Sequence, residues 1–171
     1  MRFKRVLTAG TTALAALVLL TGCGDDDPMA EFGLPSASDT ASLADLINEH
    51  AACRDLEADP ADWEYMEDEA RNPAWGIKER AHCEDEYGDD ITLLLIDDMQ
   101  KFQQRSAKAE DSWQIGQNFA IAPVNGETIR QLADSKMLAL SCSPGLTVPS
   151  GYKKLDGLVD GCVMTDYLAD S

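Results

Sequence analysis

The sequence predicts an α+β fold: a small, mostly antiparallel sheet of about three strands with helices packed on one face, held by two disulfides. Three observations carry this. Ile91-Thr92-Leu93-Leu94-Leu95-Ile96 is the most hydrophobic stretch after the leader and reads as a buried central strand. Segments with helical apolar spacing and capping residues lie on both sides of it. Four cysteines, Cys53, Cys83, Cys142 and Cys162, fall into two pairs that are close in sequence.

The first 23 residues stand apart from this domain. Met1-Arg2-Phe3-Lys4-Arg5 is basic, and Val6 to Leu20 is uncharged and largely apolar. A run of about fifteen such residues suits a secretory signal and is short for a spanning helix, which needs roughly twenty. The closing Leu20-Thr21-Gly22-Cys23 resembles the lipobox of bacterial lipoproteins. That resemblance implies a diacylglycerol on Cys23, cleavage just before it, and a mature chain anchored to the cell membrane on its extracytoplasmic face. Two or more acyl chains make a stable anchor, at about 0.8 kcal/mol for each buried methylene. Beyond the lipobox the chain resembles small lipoproteins of high-GC Gram-positive bacteria and their phages. Its acidic, Ala-rich composition, the Gly24-Asp25 start, Cys53 and Cys83, and Trp113-Gln114-Ile115-Gly116-Gln117-Asn118-Phe119 carry that likeness. It implies a location and a compact disulfide-bonded domain.

The expected organisation is a signal peptide over residues 1–22, a lipidated disordered tether over 23–39, and one globular domain over 40–171. The tether reading rests on Asp25-Asp26-Asp27-Pro28, the small polar residues that follow, and the lack of apolar periodicity. Without Arg2, Lys4 and Arg5 the mature chain carries 11 basic and 31 acidic residues, a formal charge of −20. Such a surface repels nucleic acid, which excludes a DNA- or RNA-binding role.

Within the domain, Leu43, Leu46, Ile47 and Ala51 predict a helix over 41–53, with Ser42 and Asp45 as a capping box. Asp59-Pro60-Ala61-Asp62 reads as the start of a short helix ending before Pro73. Ile77 to Cys83 and Ile91 to Ile96 predict two strands joined as a hairpin. Asp97 or Asp98 caps a helix running to about Lys108. Trp113 to Ala122 reads as one strand, and Asn125 caps a helix containing Ile129 and Leu132. Met137 to Cys142 is a helix end or short last strand. The Gly- and Pro-rich remainder, 143–171, is expected to be an irregular loop pinned by Leu155, Leu158, Val159, Val163, Met164 and Tyr167.

With Cys23 assigned to the lipid, the other four cysteines form an even set in an oxidising compartment. Short loops close more readily than long ones, which favours Cys53–Cys83 and Cys142–Cys162. His50, Cys53, His82 and Cys83 are the one candidate tetrahedral metal set. Strand alternation opposes it, because His82 and Cys83 point to opposite faces. No metal and no cofactor is expected. Glu84-Asp85-Glu86-Tyr87-Gly88 fails the EF-hand ligand pattern. No Gly-x-Ser-x-Gly or Ser-x-x-Lys motif is present, and chance acidic neighbours do not make an acid–base pair. The chain therefore reads as a non-enzymatic binding or interaction module. One alternative is an inhibitor, immunity or phage-exclusion lipoprotein that captures a basic protein partner. Another is an envelope hydrolase working through Trp63, Tyr65 and Trp75.

Overall fold

The computed structural model describes residues 29–109, 112–123 and 125–168. Cys23, the leader and the Asp25–Asp27 run lie outside them. The fold is α+β, and its sheet has eight strands, all antiparallel, in the order β1-β2-β3-β5-β4-β6-β8-β7. The strands are β1 (Arg54–Ala58), β2 (Ile77–Glu84), β3 (Asp90–Ile96), β4 (Ser112–Ile115), β5 (Phe119–Pro123), β6 (Leu138–Ser141), β7 (Lys154–Asp156) and β8 (Val163–Thr165). The helices are α1 (Thr40–Asn48), α2 (Glu67–Arg71), α3 (Met99–Ala109) and α4 (Gly126–Gln131).

The expectation of about three strands is therefore corrected to eight, and each added strand has a physical reason. Every residue of β1 is exposed. It is an edge strand with charged residues and a bulge between Arg54 and Glu57, so no apolar alternation marks it. The expected strand over 113–122 is two strands, folded back on each other at Gly116-Gln117-Asn118. β7 and β8 lie within the expected C-terminal loop, where three-residue strands between glycines carry no periodic signal.

Helices pack on both faces of the sheet, which corrects the one-face expectation. The cause is β3, where all residues from Ile91 to Ile96 are buried. Alternation sends Leu94 and Ile96 to one side and Ile91, Leu93 and Leu95 to the other. On the first side Met99 and Phe102 of α3 join a cluster with Trp113, Ile115 and Leu140. Phe102 meets Trp113 edge-to-face at 5.2 Å. On the second side Leu43, Ala44 and Ile47 of α1 pack with Phe119 and Ile121. A strand apolar on both faces requires a cover on each.

Local chemistry sets the helix starts. Asp39 caps α1 and accepts from the Ser42 amide at 2.7 Å, while Ser42 Oγ accepts from the Asp39 amide at 3.1 Å. The box is thus Asp39 with Ser42, three residues upstream of the expected Ser42 and Asp45. Asp98 caps α3 by accepting from the Lys101 amide at 3.0 Å. The expected helix after Asp59 is only α2, because Asp59 is held by Arg80 instead.

Residues 29–39, expected within the tether, belong to the fold. Met29, Leu34 and Ala37 are buried. The β4–β5 turn grips this segment: the Gln117 amide donates to Pro35 O at 2.8 Å, and Asn118 exchanges two hydrogen bonds with the backbone of Ala37 at 3.0 and 2.7 Å. Gly116 is required there, since a Cβ would lie 2.5 Å from Pro35 O.

Two disulfides join Cys53 to Cys83 and Cys142 to Cys162. The first ties the segment leaving α1 to β2, and the second ties the end of β6 to the turn before β8. Gln103 of α3 reinforces the second by accepting from the Leu158 amide at 2.7 Å. Replacing both Cys142 and Cys162 by Ala is expected to lower the unfolding free energy by about 2–4 kcal/mol. Urea denaturation of the two proteins side by side measures it.

Candidate binding groove

Strand register decides what lies on the floor of the groove. Gln114 pairs with Ala139, and Ala139 pairs with Thr165. Cross-strand partners share a face, so Gln114, Ala139 and Thr165 form one row across β4, β6 and β8. Ser112 and Ser141 form the next, again as direct partners. Trp113, Leu140 and Met164 point the other way and fill the core beneath α3. The outer rows lie beyond α1, which packs over the β2–β3–β5 region of this side.

The result is a groove of about 210 Å³ on the β4–β6–β8 face, walled by Ile129 of α4, Leu146, Tyr167 and Leu168. No lining residue carries a formal charge, although the chain has a net charge of −17. Gln114 is 9% exposed, lines this space, and its carboxamide makes no hydrogen bond among the described residues. A carboxamide can donate two hydrogen bonds and accept two. The polar atoms of Gln114 are not among the fully buried ones that lack a partner, so the amide opens into the groove.

The walls are positioned by hydrogen bonds that the sequence does not advertise. Thr165 Oγ donates to Lys153 O at 2.7 Å and accepts from the Tyr167 amide at 3.0 Å, which fixes the backbone that carries Tyr167. Tyr152 packs edge-on against Tyr167 at 4.9 Å and is half exposed. α4, which carries Ile129, is docked on the β2–β3 turn. Asn125 caps α4 through the Glu127 amide at 2.8 Å and donates to Asp89 at 2.7 Å. Thr128 Oγ donates to buried Asp85 at 2.5 Å. Burial pushes the Asp85 carboxyl up, but the hydrogen bonds from Thr128 and from the Asp89 and Tyr87 amides outweigh it, and its pKa lies below the ordinary 3.8.

A second polar assembly sits on the opposite side of the sheet, over β2. The Arg80 guanidinium is buried and donates to Asp59 at 2.8 and 3.1 Å and to the carbonyls of Pro60, Trp63 and Tyr65. It organises the whole 59–66 loop. Trp63, delivered by that loop, stacks on His82 at 5.2 Å and donates to Thr92 at 3.3 Å. His82 Nε2 lies 3.0 Å from Asp90 Oδ1.

The residues singled out from sequence fall in different places. Trp63 covers His82, and Trp75 packs on Phe102 at 6.2 Å, so both are engaged in packing. Cys53 and Cys83 are bonded to each other, and His50 lines a separate shallow depression beside Arg54 and Glu86. Among the described residues no group of three or more His, Cys, Asp or Glu side chains is arranged to hold a metal ion. No described helix is long and apolar enough to cross a membrane. Gln114 was not flagged from sequence. Its signal is a polar residue between Trp113 and Ile115 on a strand whose other face is core.

No family model, curated protein or solved structure matches the chain.

Two changes test the walls and the loop. Asp85→Asn is expected to destabilise by about 1–3 kcal/mol at neutral pH, since a carboxylate holding a hydroxyl and two amides is lost. The folded pKa is depressed, so the wild-type advantage is full above about 3.9 and disappears as pH falls through the folded value. Denaturation at pH 7 and at successively lower pH below about 3.9 should show the gap and then its narrowing. Arg80→Met should cost about 2–3 kcal/mol by removing charge-assisted bonds to three carbonyls. It should also make the 59–66 loop the first site of limited proteolysis.

Proposed function

We propose that this chain is a lipid-anchored extracytoplasmic protein whose globular domain is a non-catalytic binding module. The observation that carries the reading is the groove on the β4–β6–β8 face, with its neutral lining and the unpartnered Gln114 amide on its floor. Concave, mostly apolar spaces with a few placed polar groups are where small ligands bind. The leader supports the location: a basic start, an apolar run and Leu20-Thr21-Gly22-Cys23 in order. Fixing the domain to the membrane surface would present the groove to molecules outside the cell.

Expression of the full chain in a lipoprotein-processing host tests the anchor. Intact mass of the membrane-extracted protein should correspond to a chain starting at Cys23 with added lipid. Cys23→Ala should move the protein from the membrane fraction to the aqueous one. A wild-type protein that is aqueous and unlipidated would end the anchored reading.

A further inference from the structure

We propose that the β4–β6–β8 groove binds an N-acetylated amino sugar, with Gln114 pairing to the acetamido group. This rests on the binding-module reading and names its ligand class.

Gln114 offers both a donor and an acceptor within a site that supplies neither in return. The ligand must therefore bring both, close together. An acetamido group does so with one N–H and one C=O, and pairs with a carboxamide in two parallel hydrogen bonds. Its methyl group needs apolar surface, which Ile129 and Leu146 supply in the same groove. Ser112 and Ser141 lie in the neighbouring row, where hydroxyls of a sugar ring can reach them. Tyr167 also lines the groove and supplies an aromatic surface for a pyranose.

Charge and topology narrow the choice. A charged ligand would find no counter-charge in the lining, and an anion would also meet a strongly acidic protein. An extended peptide gains its affinity by adding main-chain hydrogen bonds to a sheet edge. β4, β6 and β8 each have strand neighbours on both sides, so the floor is a sheet face whose backbone is already paired. A volume of about 210 Å³ is on the scale of one sugar ring with its substituent.

The test uses the full lipidated chain in a detergent without a sugar headgroup. Calorimetric titration compares a β-1,4-linked N-acetylglucosamine trimer, the equivalent glucose trimer, and the neutral dipeptide acetyl-Ala-Leu-amide. The expected result is saturable binding of the acetylated trimer, with the glucose trimer weaker by at least about tenfold. Gln114→Met keeps the side-chain volume and should reduce the acetylated trimer's affinity by a similar factor, while its thermal midpoint stays equal to wild type or rises. Equal binding of the two trimers, or affinity untouched by Gln114→Met, would overturn the assignment. Binding of the dipeptide alone, lost in Gln114→Met, would overturn the sugar class and leave the binding module standing. No binding of any probe, with Gln114→Met less stable than wild type, would overturn both.

Discussion

Everything in this fold depends on one strand being apolar on both sides. β3 buries Ile91, Leu93 and Leu95 toward α1 and Leu94 and Ile96 toward α3. Each buried aliphatic side chain contributes about 1.5–3 kcal/mol, so neither face can be left to water. Strands flanking β3 inherit the same requirement: β5 places Ala120 under α3 and Phe119 and Ile121 under α1. Further from β3 the requirement lapses on one side. On β4, β6 and β8 the face opposite α3 carries Ser112, Gln114, Ser141 and Thr165 and is left as a groove. The site is thus where a two-sided core becomes one-sided.

Buried polar groups hold the periphery to that core. Arg80 fixes the 59–66 loop, Asp85 fixes α4 to the β2–β3 turn, and Gln103 fixes the segment before β8. Each is a strand, turn or helix residue whose partners lie on a segment without strong propensity of its own. The two disulfides work at the same joints, one beside β2 and one beside β8. Gln114 holds no such segment: its carboxamide makes no hydrogen bond within the described residues and faces the groove. Buried polar atoms without a partner also occur at His82, Gln103, Ser106 and Trp113, but Gln114 is the one carboxamide that lines the groove.

The core was legible in the sequence and the periphery was not. The Ile91–Ile96 run, the Asp98 and Asn125 caps and the spacing of Leu43 and Ile47 are local signals, and the elements they mark are present. β1 was hidden because an edge strand protects itself with charges and irregular backbone, which erase alternation. β7 and β8 were hidden because strands of three residues depend on long-range pairing with β6 rather than on their own composition. Residues 29–39 read as linker because their partners, Gln117 and Asn118, lie some eighty residues away in sequence. Of the groove, Tyr167, Ile129, the β6 segment and the strand beginning at Trp113 were marked, and none of them for binding. A site assembled from register across three strands has no local motif.

The central claim is that the β3–β5 centre of the sheet is covered on both faces, while the β4–β6–β8 part of one face is open. Methyl NMR with a small neutral nitroxide in solution tests it most directly. Ala139 sits on the groove floor, and Ala120, on the next strand but one, is fully buried under α3. The account predicts strong paramagnetic broadening of the Ala139 methyl and none at Ala120. Equal protection of both methyls would mean that the β4–β6–β8 face is covered, and would contradict it.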